Sequence, residues 1–209
     1  MDKQTTRIVL IRHGQTAWNE VVRFRGQADP PLDDVGRRQA KATANQVRDR
    51  WPVAAVYASP MGRAMETGEA VARAHDLEVQ PSEALLDIDF GEWQGLTPEE
   101  VRTRSSGLLR AWFEKPHTVD IPGGENLAIV RERVTEGLRT IVDRHRGRTV
   151  AMVGHMVVNR VLLCAILGLG NDRFWRLRQD TCAINVFDVG KDGEATITVL
   201  NDTCHLVRL

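Results

Sequence analysis

A chain of 209 residues, 42% hydrophobic and 27% charged, can bury one large core and has the composition of an ordinary globular domain. Its 28 Lys and Arg balance 28 Asp and Glu, so no net field draws it to nucleic acid or an anionic membrane, and affinity for an anion must come from local clusters. The three cysteines, Cys164, Cys182 and Cys204, have neither disulfide-framework nor zinc-site spacing, and no apolar run approaches the ~20 residues of a membrane span, so a cytoplasmic protein without a signal peptide is expected.

Residues 7–11 are short, β-branched and almost continuously apolar, which predicts a buried strand. Arg12 and His13 leave it at its carboxyl end. Residues 34–50 set Ala40, Ala44 and Val47 on one stripe that continues to Trp51, with Asp33 placed to cap the first turn of a helix. A second strand is predicted at 54–58. Ser59 and Pro60 then read as an N-cap and first helical residue, opening a helix to about Ala74 with Arg63 in its first turn. Segment 97–122 is expected to be a lid within one domain spanning 1–209. Trp93, Trp112 and Lys115 either line the pocket beneath it or serve packing and solvation.

Residues 125–146 repeat Leu127, Val130, Val134, Leu138 and Ile141 at spacings of three and four, a further amphipathic helix. A third buried strand at 149–153 is followed by His155 and by an almost wholly apolar helix at 156–167, which Gly168 ends. Residues 183–189 and 195–200 flank Gly190-Lys191-Asp192-Gly193 and predict a hairpin at the sheet edge. His75, His117 and His145 lie in polar stretches and read as surface residues. His205 reads as a brace for the carboxyl terminus, and Cys164 as core.

This alternation predicts a three-layer α/β/α sandwich with a mostly parallel central sheet and an antiparallel edge strand. Ligands of such sheets sit beyond the carboxyl ends of the strands. Arg12, His13, Arg63 and His155 all emerge there, beside helix amino termini that favour a phosphate. Phosphoryl transfer spreads negative charge over equatorial oxygens, which calls for fixed cations and donors. Arginine grips phosphate with a planar fork, and a neutral imidazole is a competent nucleophile near neutral pH.

The segment Arg12-His13-Gly14-Gln15-Thr16-Ala17-Trp18-Asn19 resembles the opening of the histidine phosphatase superfamily, the phosphoglycerate-mutase-like fold. The likeness continues through Asp29-Pro30-Pro31-Leu32, Gly36, Gln39-Ala40, Ser59 to Ala64, Asp89 to Gly95, Pro122 to Glu125, Gly154-His155 and Leu200 to Thr203, in family order over nearly the whole chain. The resemblance implies that His13 becomes phosphohistidine and that Arg12, Asn19, Arg63 and His155 form the phosphate pocket, Asn19 donating through its amide. It implies no metal and no organic cofactor, and a small phosphorylated substrate as partner.

Three positions depart from the family pattern. The family's acid, a Glu four residues before the Gly of its Phe-Gly-Glu-Trp motif, is here Asp87, with Asp89 and Glu92 as rivals. Phe24-Arg25-Gly26-Gln27 stands where the family commonly has Phe-Gln-Gly-Arg, so Arg25 replaces a pocket-facing Gln beside Gly26 and hints at a substrate with extra negative charge. Met156 follows the second histidine where the family often has Gly; its side chain would narrow the pocket while its amide still faced phosphate. A phosphatase is the leading reading, because only a compact segment, 96–121, fills the gap where mutases usually carry insertions. A mutase and a non-catalytic phosphate sensor remain alternatives. A metal hydrolase lacks a ligand pattern around His13 and His155.

Overall fold

The computed structural model describes residues 5–19 and 22–207. In chain order its elements are β1 (Thr6–Arg12), α1 (Asp34–Arg50), β2 (Val53–Ala58), α2 (Gly62–Arg73), β3 (Val79–Pro81), α3 (Pro98–Glu114), α4 (Leu127–Arg144), β4 (Thr149–Gly154), α5 (Met156–Ile166), β5 (Ile184–Val189) and β6 (Ala195–Asp202). The strands form one sheet in the order β3-β2-β4-β1-β5-β6. Strands β1 to β4 run parallel, while β5 and β6, the expected hairpin, lie antiparallel at one edge. The expected α/β/α sandwich is the architecture observed.

Each central strand serves two cores. Ile8 and Leu10 of β1 pack with Leu138 of α4 and Leu162 of α5. Val9 and Ile11 face the other way, onto Ala44 and Val47 of α1 and Val71 of α2. A strand that is apolar at every position is buried on both faces, which requires helices on both sides. The register then sets the site. Arg12 pairs with Gly154 and Ala58 with Val153, so the chain leaves β1, β2 and β4 at one edge.

Helix α1 starts as expected, with Asp33 Oδ1 accepting from the Gly36 amide at 2.7 Å. Helix α2 does not. Ser59 still donates its amide to the Val153 carbonyl as an extension of β2, and Met61, not Ser59, is the N-cap. The missing cap is supplied from far away: Asp29 Oδ2 accepts from the Gly62 amide at 2.7 Å. Strand β3 escapes sequence reading because it has three residues and ends in Pro81, a residue suited only to edges.

Segment 97–122 is mostly α3, opened by a capping box between Thr97 and Glu100 and interrupted by non-helical geometry at Ser105. Val101, Leu109 and Trp112 dock it into the core shared with α4 and α5. No helix among the described residues is long and apolar enough to cross a membrane.

Candidate active site

His13, just beyond β1, is 1% exposed, and His155, between β4 and α5, is fully buried. Their ring centroids are 5.0 Å apart. The His13 Nδ1 lies 2.7 Å from the Gly14 carbonyl. A carbonyl only accepts, so Nδ1 carries the hydrogen and Nε2 keeps its lone pair. Arg63 Nε donates to that lone pair at 3.3 Å. Burial first, then His155, Arg63, Arg12 and Arg25, hold His13 well below the usual histidine range. The ring is neutral at neutral pH, with its unprotonated nitrogen facing Arg63.

Those cations are held rigidly. Arg63 is fully buried near the start of α2. Its Nη1 donates to the Ala28 carbonyl at 2.8 Å and to Asp29 Oδ1 at 3.2 Å, and its Nη2 to the Gly26 carbonyl at 2.9 Å and to Asp87 Oδ2 at 3.4 Å. Arg12 Nη1 donates to the Gln179 carbonyl at 2.7 Å, whereas its buried Nε has no partner among the described residues. Burial and then Arg25 push Arg12 down to about 9, against the opposing pull of Asp87 and Asp180. Both ring nitrogens of His155 are likewise without a hydrogen-bond partner, Nδ1 lying 3.7 Å from Asp87 Oδ2. Unsatisfied buried donors are costly unless a ligand takes them up.

Asp87 is 6% exposed and faces both Arg63 and His155. Burial raises its carboxyl above the ordinary value, against the pull of Arg63, Arg25 and Arg12. The rivals lie elsewhere. Asp89 Oδ1 accepts from the Gly91 amide at 2.8 Å, tying off a turn, and Glu92 is exposed.

A cavity of about 270 Å³ opens onto His13, Asp87 and Arg25 and is walled by Met156 and Val157 of α5 and by several aromatic rings. Arg25 Nη1 donates to the Trp18 carbonyl at 3.0 Å, and the charge of Asp87 acts on its guanidinium. Gly26 contributes backbone: its φ is +50°, and a Cβ there would lie 2.8 Å from the Ile88 carbonyl oxygen, so only glycine brings this carbonyl to Arg63. Asn19 is not on the cavity wall. Its Oδ1 accepts from the Thr16 amide at 2.9 Å and the Thr16 hydroxyl at 3.0 Å, closing a turn after the histidine loop. Trp93 and Lys115 do not line the cavity either, whereas Trp112 does. A larger groove of about 540 Å³ lies at the opposite end of the sheet, between Thr6 and Val189, and contains no histidine among its described lining residues.

Sequence reading missed the residues that hold this site from behind. Thr67 Oγ1 accepts from the Gly14 amide at 3.2 Å and donates to the Arg63 carbonyl at 2.9 Å, linking the histidine loop to α2. Arg133 Nη1 donates to the Leu86 carbonyl at 2.9 Å and fixes the loop that carries Asp87. The Gln179 and Asn185 side-chain amides pair reciprocally at 2.8 Å, which fixes the carbonyl holding Arg12. Asn185, alone in an apolar strand, was the one such signal visible in the sequence. His145 hydrogen-bonds the Tyr57 hydroxyl at 3.0 Å, and His205 meets Thr43 at 2.9 Å, near the carboxyl end. No group of three or more His, Cys, Asp or Glu able to hold a metal occurs among the described residues.

Comparison with known proteins agrees with this geometry. The family model for the histidine phosphatase superfamily (branch 1) matches residues 8–203. Phosphoserine phosphatase 1 of Hydrogenobacter thermophilus is 36% identical over 200 residues, covering 96% of this chain and 94% of that protein. The solved structure of Bacillus stearothermophilus YhfR is similar with a TM-score of 0.91 and 32% identity, over 96% of this chain and 99% of that one. A mycobacterial glucosyl-3-phosphoglycerate phosphatase superposes with a TM-score of 0.87 at 26% identity, over 96% of this chain and all (100%) of that one.

Proposed function

The chain belongs to the histidine phosphatase superfamily, and from that membership and the site geometry we propose that it hydrolyses a small phosphomonoester through a phosphohistidine on His13. The observation that carries the reading is the state of His13: its Nδ1 hydrogen is engaged by the Gly14 carbonyl, and its unprotonated Nε2 faces Arg63 at 3.3 Å. The phosphoryl oxygens would be held by Arg12 and His155, which have unpartnered buried nitrogens, and by Arg63, which lies against His13 Nε2. Arg25 and the Met156 amide at the start of α5 would add donors, with Gly26 acting through Arg63. Asn19, whose Oδ1 shapes the turn after the histidine loop, would add its amide as a further donor.

In the first step the Nε2 lone pair forms a bond to phosphorus as the bond to the leaving oxygen breaks. The carboxyl of Asp87, whose hold on a proton burial strengthens, gives its proton to that oxygen. In the second step Asp87, now a carboxylate, takes a proton from water as the water oxygen attacks phosphorus and the P–N bond breaks. Inorganic phosphate leaves, and both residues return to their starting states. The cations act throughout by stabilising charge on the equatorial oxygens. No step requires a metal.

Transfer to a second hydroxyl, as in a mutase, is disfavoured by the short stretch between the Asp87 loop and Pro122, which α3 fills. Segment 97–122 is read as a fixed wall of the cavity, because Val101, Leu109 and Trp112 anchor it. The test is alkaline quenching during turnover of a ³²P-labelled ester. Label stable to alkali, lost in acid and absent from His13→Ala supports the proposal. Label on a carboxylate, or full activity in His13→Ala, overturns it. Conversion of 3-phosphoglycerate to 2-phosphoglycerate without phosphate release would favour the mutase, and phosphate binding without turnover of any ester would favour the sensor.

A further inference from the structure

The inner end of the cavity is ionic, but its outer walls are carbon. Phe24, Phe90, Pro98, Trp112, Phe113 and Trp175 line it. The rings brace one another: Phe113 and Trp175 lie 5.4 Å apart at 31°, Trp112 meets Trp175 edge-on at 6.0 Å, and Phe90 meets Trp112 at 5.7 Å. The polar handle of Trp175 is spent within the protein, since its Nε1 donates to the Trp112 carbonyl at 2.7 Å. Arg160 lies over the Trp175 ring at 4.8 Å and the Phe174 ring at 5.3 Å, which fixes the plane of the indole.

The outer wall has one cation among its described residues, Arg23, and it is engaged. Its Nη1 donates to the Gly95 carbonyl at 2.7 Å and lies 3.5 Å from Glu100 Oε2. Arg25 belongs to the inner end, beside Asp87. A leaving group carrying a carboxylate and an ammonium, such as serine, would lose water against aromatic carbon. A flat apolar group would meet aromatic rings there. Phe113, at the mouth, is 49% exposed, an apolar surface that such a group would cover.

We propose that the alcohol released by this enzyme is flat and apolar, of the arylmethyl kind, rather than a short hydrophilic alcohol such as serine or glycerate. This rests on the phosphatase reading above and selects the substrate class for the same site. Phe113, Trp112 and Trp175 determine specificity, because they touch the leaving group and not the phosphate.

The probe is benzyl phosphate, compared with O-phospho-L-serine and 3-phosphoglycerate by phosphate release. Benzyl alcohol is an alkanol, so an unusually good phenolate leaving group does not imitate preference. The expected kcat/KM is about tenfold to hundredfold higher for benzyl phosphate. Phe113→Ser, at a half-exposed position, should fold, as thermal melting will verify, and should narrow the ratio of benzyl phosphate to phosphoserine about tenfold. Faster turnover of phosphoserine or 3-phosphoglycerate that still depends on His13 overturns this inference and leaves the phosphatase reading standing. So does an equal loss on both substrates in Phe113→Ser. If no ester gives phosphate that depends on His13, both fall together.

Discussion

The floor of the site and the vestibule above it are built in opposite ways. On the floor, His13, Arg12, Arg63, Asp87 and His155 are all less than 9% exposed, and all but His155 are oriented by backbone carbonyls and amides. In the vestibule, Trp112, Phe113 and Trp175 are oriented by one another. The floor is expensive to assemble, because burying cations and imidazoles without an anion opposes folding. The vestibule is inexpensive, being an extension of the apolar core. Damage to the floor should therefore cost rate without a matching loss of stability, and changes to the vestibule should re-rank substrates.

The largest effect is expected from His13→Ala, which should lower kcat at least about 10⁴-fold and abolish covalent labelling. Next is Asp87→Asn, with a loss of about 10²–10⁴-fold. Because burial raises the Asp87 carboxyl, its acid form fails as pH rises through that raised value, so the alkaline fall in kcat/KM should disappear in this variant. Asp89→Asn and Glu92→Gln should retain turnover. Full activity in Asp87→Asn with loss in Glu92→Gln would move the acid to Glu92. Arg63→Lys should cost about 10²–10³-fold, because one ammonium cannot reproduce a fork holding Gly26, Ala28 and His13 together.

Smaller effects probe the ionic strain directly. His13 and His155 titrate below 6.5 in the folded chain and near 6.5 when unfolded, so the unfolded chain gains protons first as pH falls. Stability present above pH 6.5 should be lost on acidification, at about 1.4 kcal/mol for each unit of depression. The double variant His13→Asn with His155→Asn should flatten the fall in Tm between neutral pH and pH 5. Smallest is Arg25→Gln, expected to raise KM several-fold through weaker phosphate binding, about 1 kcal/mol. An unchanged KM would remove Arg25 from the site, and a rise confined to dianionic leaving groups would restore the extra-charge expectation.

The floor was legible in the sequence because strand ends announce themselves. An apolar run stops, and the residues after it must lie at the sheet edge, so Arg12, His13 and His155 could be placed from the pattern alone. Arg63 was placed correctly although the cap of its helix was not, since Asp29 does from a distance what Ser59 was expected to do. Asn19, expected at the phosphate, closes a turn through its Oδ1, which leaves the donation expected of its amide untouched. Short polar side chains have several local partners, and spacing does not choose among them.

The order of elements, the two-faced core of β1 and the meeting of histidines and arginines at one edge were determined by the amino-acid sequence, because hydrophobic period and strand polarity are local properties that a parallel sheet converts into position. Tertiary structure decided the rest: that Asp87 and not Asp89 or Glu92 faces His155, that Thr67, Arg133 and Gln179 hold the floor, and that the cavity mouth is aromatic. Those outcomes depend on side chains from segments up to 167 residues apart sharing a few ångströms, and no local pattern carries that distance.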